Sequence, residues 1–76
     1  MPRLPHVSGR QAVAAFEGAG FQVKRQRGSH IIMAKAGFPE TLSVPDHTAV
    51  KPGTLRALIR KAGLGVDEFV ELLARR

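Results

Sequence analysis

The period of the apolar residues changes abruptly at Gly20, and this change constrains the fold more than any other feature of the chain. Before it, Ala12, Val13, Ala15, Phe16 and Ala19 recur at helical spacing. After it, Phe21-Gln22-Val23-Lys24-Arg25 alternates apolar and polar, the pattern of a strand with one buried face. An amphipathic helix and a one-sided strand must bury their apolar surfaces against each other, so a two-layer domain is expected.

The remaining punctuation fills in the layers. Ser8 followed by Gln11 has the form of a capping box, which starts the first helix at residue 9, and Gly20 stops it after residue 19. Phe21 and Val23 are expected to point inward and Lys24 outward. Residues 26–29 read as a turn, with Gly28 free to take a positive φ. A second strand is predicted over 30–35. There, alternation puts His30, Ile32 and Ala34 on one face, with Ile31 and Met33 facing the core. Ala36-Gly37-Phe38-Pro39 makes another turn, and a third strand runs over 40–44 until Pro45 ends it.

After a loop over 46–50, Pro52 suits the first turn of a second helix, whose inner face carries Leu55, Leu58, Ile59 and Ala62. Gly63 caps it. Gly65, Asp67 and Glu68 open a last short helix bearing Val66, Phe69, Val70, Leu72 and Leu73, with Arg75-Arg76 suiting its C-terminal dipole. The expected architecture is an α+β two-layer domain, with helices on one face of a three-stranded antiparallel sheet and the other face open. A single domain is expected over residues 1–76, with 1–7 an irregular lead-in.

Charge and composition narrow the function. Lys and Arg number 12 against 6 Asp and Glu, a formal charge of +6 on 76 residues, which is the electrostatic footprint of a polyanion binder. With no cysteine, disulfides and thiolate metal sites are excluded. Pro2 and Pro5 interrupt the N-terminus, and no apolar run approaches bilayer length, so a soluble cytoplasmic protein without membrane contact is expected. Gly63-Leu64-Gly65 lacks the lysine of a phosphate-binding loop. Asp46 and His47 are adjacent, not spaced as ligands on one helix or strand face, so neither a metal nor a small-molecule cofactor is expected.

The stretch richest in chemistry is Arg25-Gln26-Arg27-Gly28-Ser29-His30. It delivers an imidazole, a side chain that can accept and return a proton, from a cationic turn onto a strand. Cleaving RNA without a metal requires a base for the 2′-hydroxyl, an acid for the leaving oxygen and cations for the charge developing on phosphorus. His30 is the candidate proton carrier, and Lys24, Arg25 and Arg27 are candidate phosphate contacts. Gly28 and Ser29 add backbone N–H groups and a hydroxyl. His47 is the candidate accessory acid or base, and His6, in the lead-in, has no assigned role. Phe38 is the one aromatic placed to stack on a base, with turn packing the competing assignment.

The anchors Ser8, Gly20-Phe21, Arg25-Gln26-Arg27-Gly28-Ser29-His30, Val44-Pro45-Asp46-His47, Pro52-Gly53-Thr54-Leu55 and Ala62-Gly63-Leu64 occur in an order that resembles HicA-type toxins, over roughly residues 8–73. The resemblance implies a double-stranded-RNA-binding-like α-β-β-β-α fold. It also implies an mRNA endoribonuclease that acts as the toxin of a toxin–antitoxin pair, neutralised by a HicB-type antitoxin, with the family's histidine at His30. The chain departs at Gly65, where the family carries Ser or Thr, and in the apolar segment Ile31-Ile32-Met33-Ala34-Lys35, which lacks an aromatic. Two other functions fit the charge: a non-catalytic RNA-binding module, and a domain that docks an acidic protein. The first is disfavoured by a single lysine in Lys51-Pro52-Gly53-Thr54, where such modules place a lysine cluster.

Overall fold

The computed structural model describes residues 4–75, so Met1 to Arg3 of the lead-in and Arg76 lie outside the described residues. The elements run α1 (Gly9–Gly18), β1 (Gln22–Arg27), β2 (His30–Ala34), β3 (Leu42–Pro45), α2 (Pro52–Lys61) and α3 (Val66–Ala74). The sheet is antiparallel in the order β1-β2-β3, so β2 is central and the other two strands are edges.

Each helix starts where the sequence asks it to. The Gln11 N–H donates to Ser8 Oγ at 3.1 Å while the Ser8 N–H donates to Gln11 Oε1 at 2.8 Å, closing the capping box. Pro52 occupies the first turn of α2. In α3, Glu68 accepts from the Gly65 N–H at 2.8 Å. Arg75 sits just past the end of α3 and pairs with Glu71 at 2.6 Å, one turn back.

The core lies between the helices and one face of the sheet. Ile31 and Met33 of β2 and Leu42 and Val44 of β3 meet Ala12, Ala15 and Phe16 of α1, Leu55, Leu58 and Ile59 of α2, and Phe69 of α3. The Phe16 ring lies 5.2 Å from Phe69 and 6.2 Å from Phe21. Ile31 and Met33 are buried as their alternation requires. On the opposite face Ile32 is half-buried and His30 exposed. No helix covers that face.

Several boundaries and orientations differ from the sequence reading. Val23 does not enter the core; it is 44 % exposed, as is all of β1 to varying degree. It pairs with buried Met33, so it lies on the helix side of the sheet, but on an edge strand that the helices do not cover. The register shifts between Val23 and Arg25, leaving Lys24 as a bulge residue. The turn is shorter than expected: β1 continues through Arg27, and Gly28-Ser29 alone joins it to β2. Gly28 has φ 58 and, among the described residues, no non-glycine residue such as Ser29 has positive φ, the pattern of a type II′ hairpin turn.

Strand β3 is displaced to Leu42–Pro45 and retains the proline that was expected to end it. The Asp46 N–H donates to the Ser29 carbonyl at 2.7 Å, which continues the β2–β3 ladder beyond the His30–Pro45 pair. Hydrogen-bonded and non-hydrogen-bonded pairs alternate along such a ladder, so Pro45 falls where β2 requires no donor from it. Strand β2 stops at Ala34. Lys35 instead places its ammonium 5.6 Å from the Phe21 ring and 5.7 Å from that of Phe38. Phe38 stands edge-on to Phe21 at 5.6 Å, so it packs the turns together and is half-buried, which corrects its candidacy as a base-stacking platform. Among the described residues no helix is long and apolar enough to cross a membrane.

Candidate functional site

The open face of the sheet assembles from the pairing register. Residues directly opposite in adjacent strands project to the same side, so the Arg27–His30 and Arg25–Ile32 pairs put both arginines on the face that carries His30. From β3, Ile32–Ser43 pairing brings Ser43 to that face as well. Ser43 Oγ lies 3.4 Å from His30 Nδ1, across the diagonal of the ladder. The other ring nitrogen, Nε2, has no hydrogen-bond partner among the described residues.

The charged side chains that the register places on the same face as His30 are the two arginines. Arg25, Arg27 and His30 are exposed, and among the described residues neither arginine takes part in an ion pair. Guanidinium groups with unused donors on an uncovered face are what a phosphate backbone recognises. Lys24 is less centrally placed: it sits at the bulge, with its Nζ 3.4 Å from Gln22 Oε1, toward the other end of β1. Gly28 and Ser29 are exposed at the hairpin tip beside His30. The Ser29 carbonyl is already committed to the Asp46 N–H, and the Gly28 carbonyl accepts from Gln26 Nε2 at 3.1 Å.

Among the described residues no hydrogen bond joins His47 to His30. His47 is exposed beyond the end of β3, and its carbonyl accepts the Gly9 N–H at 2.8 Å, so its tie is to the start of α1. Among the described residues its ring forms no hydrogen bond. Nor do three His, Asp or Glu side chains gather there into a group able to hold a metal ion.

Sequence reading missed Ser43 and the side chains behind the hairpin tip. Asp46 accepts from Arg10 Nε at 3.2 Å and Arg10 Nη2 at 3.1 Å, and its Oδ2 also accepts from Gln26 Nε2 at 3.3 Å. The alternation of Leu42-Ser43-Val44 does place Ser43 opposite the core, so that signal was present. Its register against His30 was not, because it depends on where the connection over 35–41 lets the strands meet.

With this geometry established, comparison with known proteins is informative. The model of the family described as the HicA toxin of bacterial toxin–antitoxin systems matches residues 9–64. The chain belongs to the HicA toxin family. The matched region begins with α1 and ends after α2, so it contains the whole hairpin, His30, Ser43 and Asp46 and leaves out α3. Among solved structures, a toxin–antitoxin complex from Streptococcus pneumoniae contains a chain that is 27% identical and superposes with a TM-score of 0.69. The match covers 76% of this chain and 98% of that one. No curated protein matches the sequence significantly. Membership in the HicA family makes this a toxin-type domain, and the likeness in structure extends over nearly all of the related chain.

Proposed function

We propose that this HicA-family protein is the toxin of a toxin–antitoxin pair and cleaves mRNA as a metal-independent endoribonuclease, with His30 as its acid–base group. The observation that carries the reading is the arrangement on the open face: an exposed imidazole whose Nε2, among the described residues, has no partner, beside two arginines that have no carboxylate partner among those residues. Arg25 and Arg27 bind the phosphate and offset the charge that develops on its oxygens in the transition state. His30 Nε2 takes the proton of the attacking 2′-hydroxyl, and the resulting imidazolium can return a proton to the departing 5′-oxygen. One ring thus supplies both transfers in sequence, and the strand fixes its position.

Ser43 sets which nitrogen does this. When Nδ1–H donates to Ser43 Oγ, Nε2 carries a lone pair and acts as the base; once Nε2 has taken the proton, the imidazolium keeps its Nδ1–H on Ser43 Oγ and its Nε2–H is the acid. The scheme uses His30 alone and assigns His47 no step. The likeness to a chain of a toxin–antitoxin complex supports an antitoxin of the HicB type as the neutralising partner. An antitoxin that covers the open face would block RNA at His30.

The test is incubation of the purified protein with a defined mRNA, with and without a strong chelator. Cutting at the same rate in both supports the reading. RNA binding without any nicking would assign the domain to a non-catalytic RNA-binding module, and cutting only without chelator would overturn the metal-independent step.

A further inference from the structure

The tip of the β1–β2 hairpin should be the loosest part of the sheet. Every residue of β1 is exposed, the turn is two residues long, and the space beside Gly28 is empty to 4 Å. On its β1 side this end of the hairpin is flanked by exposed residues alone, so it has little apolar burial there to hold it. Yet it carries the imidazole on which the proposed reaction depends, and positional errors of about 1 Å cost up to roughly a hundredfold in rate.

The structure ties that tip down from behind. Ser29 pairs with Asp46 across the ladder, and Gln26 pairs with Ile31, so Asp46 and Gln26 lie on the helix side of the sheet, opposite His30. There Asp46 forms a junction among three elements. Its N–H holds the Ser29 carbonyl at 2.7 Å, and Oδ2 accepts from Gln26 Nε2 at 3.3 Å. The same Gln26 Nε2 holds the Gly28 carbonyl at 3.1 Å. The carboxylate also takes a two-point hydrogen bond from Arg10 in the first turn of α1. Helix α1 is in turn seated against this junction. A Cβ on Gly9 would lie 2.1 Å from the Pro45 carbonyl oxygen, and the Gly9 N–H donates to His47 at 2.8 Å.

We propose that Asp46, through Gln26 and Arg10, is a positioning residue that locks the Gly28-Ser29 turn onto α1 and thereby fixes His30 on the opposite face. The Asp46 side chain is 26% exposed, the Arg10 side chain 69%. The carboxylate is taken up by Arg10 and Gln26 on the side of the sheet opposite His30. Its effect passes through the backbone of residues 28 and 29. The proposal rests on His30 being the acid–base group, but the fixing of the ring can be read without RNA.

The experiment compares the full chain with Asp46→Ala, Asp46→Asn and Gln26→Leu. Two-dimensional NMR follows the Gly28 and Ser29 amides and the His30 ring, and cleavage kinetics are measured on one RNA. The account expects Asp46→Ala to keep a dispersed spectrum of the core while the turn amides and the His30 ring signals shift and broaden. It expects kcat to fall by about 10- to 100-fold with KM within about twofold. Asp46→Asn, which keeps an acceptor for Gln26, should recover part of the loss, and Gln26→Leu should reproduce a smaller version of it. Unchanged His30 ring signals in Asp46→Ala, or a loss confined to KM, would overturn the proposal. If Asp46→Ala does not fold, the same ring readout in Gln26→Leu decides. Ring signals that shift as expected while His30→Ala still cleaves at the native rate would uphold the positioning and reject the catalytic reading instead.

Discussion

Ser43 and His30 sit diagonally across adjacent strands, and a serine hydroxyl 3.4 Å from an imidazole nitrogen is a modest contact. A hydrogen bond of this kind contributes about 0.5–1.5 kcal/mol. Ser43→Ala is therefore expected to slow cleavage by roughly two- to tenfold, through a less well-oriented ring, with thermal stability nearly unchanged. Steady-state kinetics on the purified variant check this, and a loss as deep as that of the histidine variant would mean that Ser43 itself meets the substrate. The arginines differ in kind from Arg10. Among the described residues the side chains of Arg25 and Arg27 donate no hydrogen bond, whereas both donors of Arg10 that face Asp46 are in use. A basic residue count cannot distinguish these cases; the pairing register does.

At the scale of elements, Val23 and Met33 form a cross-strand pair with opposite fates, one 44 % exposed and the other fully buried. Met33→Ala removes a core side chain and should cost about 2–5 kcal/mol. Val23→Thr should stay within about 0.5 kcal/mol of the native protein. Urea titration of the two variants checks both, and a cost above about 1 kcal/mol for Val23→Thr would restore the buried position that alternation alone implies. The comparison also shows what was legible in the sequence. Helix starts were, because Ser8 with Gln11 and Pro52 act through local hydrogen bonds and ring geometry. The core face of β2 was legible because a central strand has its burial set by alternation. Val23 and Pro45 were misjudged because both lie on edge strands, where coverage and ladder pairing depend on distant neighbours. His30 was visible as a candidate from its cationic context. Ser43 and the Asp46 junction were not, since each is defined by contacts between elements far apart in the chain.

For the molecule as a whole, the charge of +6 is distributed so that the open face keeps arginines with no ion pair among the described residues, while Asp46 and Glu71 are occupied with Arg10 and Arg75. The fold leaves one side of a three-stranded sheet bare and the helices hold the other, so the bare side is available to RNA or to an antitoxin. RNA affinity should fall linearly on a log–log plot against salt concentration. Arg25→Ala and Arg27→Ala should each lower the magnitude of that slope by up to about one, as read by fluorescence anisotropy at several salt concentrations. An unchanged slope in both variants would move the phosphate contacts elsewhere. The central claim is that His30 performs the proton transfers, and the most direct measurement is single-turnover cleavage of one RNA by the native protein and by His30→Ala. The account predicts a rate lower by about 10²–10⁴-fold in a variant that folds normally and still binds RNA. Cleavage by the folded variant at the native rate would contradict it.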